Sequence, residues 1–163
     1  MAYDDNYHTM IEISLLLHNI RSAHNVGSIL RTADAAAIAH VYITGYTPRP
    51  VDTLGRTQKE ITKTALGAEN TVAWSYSKDP FALIQRLKKE GWYIVGVEQD
   101  NRAVDYRTYV PMQNTLFILG NEVRGISPSL LSRCDTVVEI PMQGSKESLN
   151  VSVATGIVLF HYQ

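Results

Sequence analysis

The sequence predicts a single α/β domain in which a mostly parallel sheet is covered by helices on both faces. Short apolar runs alternate along the chain with segments of helical spacing, as is typical of strands joined by crossover helices. Runs such as 115–119 (TLFIL) have no polar alternation, as expected for strands buried on both faces. The 163 residues suit one domain, 1–163, without an internal repeat or a dividing linker.

The individual elements follow from local signals. An apolar run predicts the first strand at 13–17, and apolar residues at helical spacing predict a helix at 26–39 with Asn25 as its N-cap. Residues 40–44 (HVYIT) predict the next strand, and the Pro- and Gly-containing segment 47–58 predicts an irregular loop. The other predicted strands are 71–74, 92–97, 115–119 and 136–140, and the other predicted helices are 60–65, 80–90, a short one from 127, and 150–162.

Three loops rich in Gly, Asn, Ser and charged residues follow predicted strands, after Leu17, Leu119 and Ile140. In an open parallel sheet, ligands bind beyond the carboxyl ends of the strands. We therefore expect these three loops to form one pocket, although they are far apart in sequence.

The glycines after the strand at 115–119 allow two interpretations. Gly120 and Gly125 have the spacing of a phosphate-binding loop, but Ile126 stands where such a loop needs Lys, which disfavours a nucleoside triphosphate site. The glycines fit either a plain strand-to-helix turn or a backbone that approaches a ligand closely. Glu122 is then either a solvated turn residue or an acceptor for loop amides or a ligand.

The other two loops also allow both a structural and a functional interpretation. Arg31 either forms a weak helical ion pair with Asp34 or holds a phosphate. Ser148 either caps the last helix or joins Asn150 in the pocket. That last helix is apolar nearly all round, which predicts burial, including burial in a subunit contact.

Composition excludes several classes of protein. A single cysteine, Cys134, rules out an intrachain disulfide and a thiolate metal cluster, and no metal-spaced His or carboxylate cluster appears. No signal peptide and no membrane-spanning apolar run is present, so we expect a cytoplasmic protein with no metal and no membrane contact. The net charge of −1 excludes a global basic field, although cations exceed anions by three between 19 and 64. We expect residues 1–10 to form a flexible tail.

Taken together, the loops resemble the SpoU (TrmH-like) branch of the SPOUT RNA methyltransferases. The matching segments, in family order and spacing, are NVGSILR at 25–31, LFILGNEVRGIS at 116–127 and IPMQGSKESLNVSVATG at 140–156, with KTALGAE at 63–69 as a further likeness. The resemblance covers almost the whole chain. It implies a C-terminal deep trefoil knot, a homodimer, and transfer of a methyl group from S-adenosylmethionine to a ribose 2'-hydroxyl of tRNA or rRNA. Methylation of an RNA base by the same fold and a non-catalytic RNA-binding module remain alternative interpretations.

The resemblance also implies the residues of the site. The catalytic set is Arg31, Asn25, Glu122, Ser148 and Asn150, with Arg31 as the catalytic residue, often supplied by the second subunit. The cofactor-binding set is Val97, Leu119, Gly120, Ile140, Met142 and Leu149. We expect RNA contacts at Arg21, Arg49, Arg56, Lys59 and Lys63.

Overall fold

A computed structural model describes residues 11–162, and the expected tail at 1–10 lies outside them. The strands are β1 Ile13–His18, β2 His40–Thr44, β3 Trp74–Ser77, β4 Tyr93–Val97, β5 Val104–Asp105, β6 Thr115–Leu119 and β7 Thr136–Glu139. The helices are α1 Ala23–Ala35, α2 Lys59–Ala65, α3 Ala68–Thr71, α4 Pro80–Lys89, α5 Pro128–Leu131 and α6 Val151–His161, with a 3-10 turn at Tyr106–Thr108.

All seven strands pair in parallel in one sheet of order β3-β2-β1-β6-β4-β7-β5. Successive β1 residues point to opposite faces: Leu15 and Leu17 pack with α1, α2, α3 and α6, and Leu16 packs with α4 and α5. Each fully buried leucine contributes about 1.5–3 kcal/mol of hydrophobic free energy. The predicted α/β fold, with a mostly parallel sheet covered on both faces, is confirmed.

Helix α1 begins earlier than predicted, and Asn25 is not its N-cap. Ser22 has an extended backbone, and its hydroxyl accepts a hydrogen bond from the Asn25 amide at 3.2 Å, so Ser22 is the cap. Asn25 therefore lies in the first turn, where its side chain is available for other partners. The helix stops at Ala35 because Ala37 has a left-handed backbone (φ 48°).

The strand predicted at 71–74 is wrong. Thr71 closes the short helix α3, and its hydroxyl donates to Asp34 Oδ1 at 2.7 Å, so the strand starts only at Trp74. Asp34 is thus engaged by Thr71, and within residues 11–162 Arg31 does not form the ion pair with Asp34 that was one of its two interpretations.

Helices α1 and α2 meet with their backbones in contact at Gly27. A Cβ on Gly27 would lie 2.1 Å from Thr64 Oγ1 and 2.4 Å from the Ile61 carbonyl, so only glycine fits. The Thr64 hydroxyl donates to the His24 carbonyl at 3.0 Å. This packing gives the segments at 25–31 and 63–69 a shared structural role, because it fixes the helix that carries Asn25.

Within residues 11–162, no helix has both the length and the apolar character needed to cross a membrane.

Candidate active site

One pocket opens at the carboxyl ends of β4, β6 and β7, against the start of α6. It is lined by Val97, Glu98, Gln99, Leu119, Gly120, Asn121, Glu122, Val123, Gly125, Glu139, Ile140, Met142, Ser148, Leu149, Val151 and Ala154. The structure therefore brings together all six residues expected to bind a cofactor. Two of the three predicted loops, those after β6 and β7, line the pocket, and the loop after β1 joins them through hydrogen bonds.

The loop after β6 doubles back on itself immediately beside the pocket. Asn121 and Gly125 exchange two backbone hydrogen bonds of 3.1 and 2.8 Å. A Cβ on Gly120 would lie 2.5 Å from the Gly125 carbonyl carbon, and Gly125 has a φ of +65°. The two glycines are therefore needed for the turn itself, and the same turn exposes backbone groups of Gly120 to the pocket.

The structure adds Glu98, which the sequence interpretation missed. Its Oε2 accepts from the Ile126 amide at 2.8 Å and lies where a Cβ on Gly125 would sit, only 2.1 Å away. Its Oε1 accepts from the Gln99 amide at 2.9 Å. The sequence signal for Glu98 was its position directly after the strand predicted at 92–97. The loop after that strand was not among the three expected to form the pocket.

Glu122 joins the loop after β6 to the N-terminus of α1. Its carboxylate accepts from the backbone amides of Arg21 (2.9 Å) and Ser22 (3.0 Å) and from Asn25 Nδ2 (3.0 Å). Partial burial alone would raise the pKa of Glu122, but these hydrogen bonds outweigh it and hold the pKa below its usual value. Glu122 therefore stays ionised at neutral pH, and its negative charge lies at the positive end of the helix dipole.

Asn25 extends this network to the third segment. Its Oδ1 accepts from Asn150 Nδ2 at 3.2 Å while its Nδ2 donates to Glu122. Asn150 in turn caps α6, because its Oδ1 accepts from the Ser152 amide at 2.8 Å. The interpretation of Ser148 as that cap is thus wrong, and Ser148 lies on the pocket wall instead. One chain of side chains, Glu122–Asn25–Asn150, ties the three segments together.

Arg31 is not part of this constellation. It is exposed on α1 and is absent from the pocket wall, and within 11–162 its guanidinium forms no ion pair. Arg31 follows Asn25 by six positions, about one and two-thirds turns, so the two side chains leave the helix on different faces. A single chain of this structure therefore does not bring Arg31 to the other four predicted catalytic residues.

The expected RNA-contacting residues are distributed over several elements. Arg49 lies over the ring of Tyr76, with its guanidinium carbon 4.1 Å from the ring centre, and Arg56 pairs with Asp52 at 2.8 Å. Lys59 and Lys63 are exposed on α2. Arg21 is exposed beside Glu122, which its backbone amide contacts.

Among residues 11–162, no group of three or more His, Cys, Asp and Glu side chains is arranged to hold a metal ion.

The chain is similar to proteins of known family and structure. Residues 12–160 match the model of the SpoU rRNA Methylase family. The chain is 29% identical over 152 residues to a tRNA (guanosine(18)-2'-O)-methyltransferase of Aquifex aeolicus, covering 93% of this chain and 69% of that protein. It is 34% identical over 145 residues to the 23S rRNA (guanosine-2'-O-)-methyltransferase RlmB of Neisseria meningitidis, covering 89% of this chain and 55% of that protein.

Two solved structures share the fold over 92% of this chain. The TrmH/SpoU tRNA-modifying enzyme of A. aeolicus has a TM-score of 0.80 at 27% identity, and 73% of that chain is covered. An AdoMet-bound rRNA methyltransferase from Sinorhizobium meliloti has a TM-score of 0.83 at 28% identity. The present chain spans 55% of the length of the S. meliloti protein, as it does of the N. meningitidis relative.

Proposed function

The chain belongs to the SpoU rRNA methylase family, and from that premise we propose that it transfers a methyl group from S-adenosylmethionine to a ribose 2'-hydroxyl of tRNA or rRNA. The observation that carries the proposal is the Glu122–Asn25–Asn150 chain, which joins three distant segments beside one pocket. Glu122 itself lines that pocket, as do both neighbours of Asn150. The named relatives are tRNA and rRNA 2'-O-methyltransferases, and a related structure binds AdoMet.

The pocket fits the proposed methyl donor chemically. Val97, Leu119 and Met142 provide apolar walls for the adenine ring and the methionine chain. Gly120 and Ile140 lie at or just beyond strand ends and offer backbone donors and acceptors for the polar edges of the molecule, as does Leu149. When bound, S-adenosylmethionine supplies an electrophilic methyl group, so the protein's task is orientation and charge stabilisation.

Within this proposal, Glu122 and Asn25 act by positioning. The three donors on the Glu122 carboxylate keep it ionised and directed at α1, which leaves it poorly placed to take a proton from a ribose. Asn25 is held at both ends of its amide, by Glu122 and by Asn150. These contacts fix the loops after β6 and β7 relative to α1, so the pocket and the substrate entrance keep one geometry.

We assign Arg31 to the reacting ribose through its charge. A guanidinium is permanently charged and forms bidentate hydrogen bonds with phosphate, so it suits holding the phosphate next to the target ribose. The same charge would stabilise the negative charge that develops on the 2'-oxygen. The phosphate that Arg31 holds is also placed to accept the proton that leaves the ribose 2'-hydroxyl.

We further propose a homodimer in which the partner copy supplies Arg31 to the pocket. Two observations support this: Arg31 lies outside its own chain's pocket, and α6 leaves apolar side chains exposed, with Val153 49% and Phe160 55% exposed. Burying these side chains against a second copy would remove apolar surface from water. The dimer would then cover the α6 face and complete the site in one step.

The remaining proposals rest on family membership. We propose one domain over 1–163, a deep trefoil knot in its C-terminal part, and a cytoplasmic location. With a net charge of −1, RNA binding relies on local cations, for which the candidates are Arg21, Arg49, Arg56, Lys59 and Lys63.

The test is methyl transfer from tritium-labelled S-adenosylmethionine to total RNA, followed by nuclease digestion and mass spectrometry of the labelled nucleoside. We expect a 2'-O-methylated nucleoside. A methylated base would support the alternative chemistry, and RNA binding without transfer would support a non-catalytic module. Mapping ribose methylation in RNA from cells with and without the gene then locates the nucleotide.

A further inference from the structure

An exposed aromatic ring stands beside the pocket. Tyr46 follows β2 at the carboxyl edge of the sheet, and 60% of its surface is exposed. Its hydroxyl accepts a hydrogen bond from Asn121 Nδ2 at 3.0 Å, and Asn121 lines the pocket. Its backbone amide donates to Asn19 Oδ1 at 3.2 Å. The hydroxyl end of the ring and the backbone of Tyr46 are therefore both held, while more than half of the residue's surface is exposed to solvent.

A second aromatic side chain lies farther from the pocket, on the β3 edge of the sheet. Tyr76, on the edge strand β3, donates through its hydroxyl to the carbonyl of Gly45, the residue before Tyr46. Arg49 lies over the Tyr76 ring, 4.1 Å from its centre. Tyr46, Arg49 and Tyr76 thus form a short track that leads away from the pocket over β2 and β3.

Planar groups of this kind recognise unpaired nucleobases. Bases of single-stranded RNA stack on aromatic rings and on Arg guanidinium planes, and a ring that is already held in place loses little conformational entropy on stacking. A ribose delivered to the pocket brings its own base and those of its neighbours to the same rim. The Arg49 charge adds attraction for the phosphates between them.

We propose that Tyr46 stacks on a nucleobase of the substrate RNA at or next to the target ribose, and that the Arg49–Tyr76 pair receives the strand beyond it. This inference rests on the proposed function, since it names the part of the RNA that the rim of the same site recognises: an unpaired strand. Tyr46 is a positioning residue in this scheme.

The experiment compares Tyr46→Ala, Tyr46→Phe and, as a control, Met112→Ala. Met112 is 82% exposed in the loop before β6, at the amino ends of the strands and so away from the pocket, and its variant removes an exposed apolar side chain outside the track. The probe is a mixed-sequence single-stranded oligoribonucleotide of about ten nucleotides that contains 2-aminopurine, whose fluorescence falls on stacking. Affinity for S-adenosylmethionine is measured by calorimetry on the same proteins.

We expect Tyr46→Ala to bind the probe about tenfold more weakly and to lose the fluorescence quenching. Tyr46→Phe keeps the ring and should bind like the wild type, as should Met112→Ala. All variants should keep their cofactor affinity. Wild-type affinity in Tyr46→Ala would overturn the proposal, as would a wild-type protein that does not bind the probe.

The phenylalanine variant separates stacking from a structural role. If the hydroxyl only holds the loop through Asn121, both Tyr46→Phe and Tyr46→Ala will bind the probe more weakly and lose cofactor affinity. That result would also overturn the proposal. Tyr46-dependent quenching by a protein that transfers no methyl group would uphold the track while rejecting the proposed enzymatic activity.

Discussion

Replacing Glu122 with Gln removes the charge from the contact between the loop after β6 and α1 with almost no change of shape. The Ser22 amide and Asn25 Nδ2 both donate to Oε1, an oxygen that the Glu122→Gln variant retains. The Arg21 amide donates to Oε2, where the variant would present an amide donor instead. One hydrogen bond is lost and the other two lose their ionic component. Hydrogen bonds to charged groups contribute about 1.5–3 kcal/mol each, and about half of that without the charge.

Because Glu122 is only partly buried, the lower end of that range applies, and we expect a loss of about 2–3 kcal/mol of unfolding free energy. For a domain of this size, this corresponds to a decrease in Tm of about 4–12 °C. Urea denaturation and calorimetry at neutral pH measure both quantities. Glu147→Gln is the matched control, because it makes the same change at an exposed side chain without a hydrogen-bond partner among residues 11–162.

The pH dependence tests the cause. The hydrogen bonds lower the pKa of Glu122 in the folded protein, so its stabilisation is complete above the unfolded value of about 4.3 and is lost as the pH falls through the folded pKa. The difference between wild type and Glu122→Gln should therefore be constant from neutral pH to about pH 5 and shrink below it. Equal denaturation midpoints at neutral pH, or a difference that grows on acidification, would refute the reasoning.

Three substitutions test other parts of the site, and one labelling measurement tests the burial of Cys134. Arg31→Ala should abolish methyl transfer and keep S-adenosylmethionine affinity within a few-fold; loss of cofactor binding in calorimetry would reject its assignment to the ribose. Asn150→Ala removes the α6 cap, so it should weaken cofactor binding, and unchanged affinity would remove this residue from the site. Gly125→Ala forces a Cβ to within 2.1 Å of Glu98 Oε2 at a φ of +65°, and should cost about 2 kcal/mol of unfolding free energy; a wild-type urea midpoint would argue against this strain. Burial raises the pKa of the Cys134 thiol to about 12, so the native protein should react slowly with Ellman's reagent at pH 8 and rapidly once unfolded, and fast native labelling would contradict its burial.

Strand positions were the most predictable part of the fold. The bounds of β2 and β6 agree with the predicted ones because both runs consist mostly of β-branched, aromatic and apolar residues, which are buried throughout β6 and at three of the five positions of β2. The two-residue β5 and the four-residue α3 carry too little periodicity to be recognised, and α3 ends at Thr71, where a strand was predicted from 71 to 74.

The site was predictable as a set of loops, but its contacts were not. Asn25 and Ser22 are both good capping residues, and only the backbone geometry decides that Ser22 takes the cap and leaves Asn25 for Glu122. Arg31 was grouped with the pocket only through the resemblance to a family, which implies that the second subunit often supplies this residue. Because Arg31 lies on another face of α1 than Asn25, one chain alone does not show that grouping.

The hydrogen bonds of Asn25 join residues 97 and 125 positions away along the chain. A nascent polypeptide leaves the ribosome from its amino end at about 5–20 residues per second, so Asn25 emerges many seconds before Asn150 can reach it. Until then α1 lacks its hydrogen bond to Asn150, and the methyl-donor pocket lacks the wall that α6 provides. We therefore expect chains that end before Asn150 not to form the complete pocket.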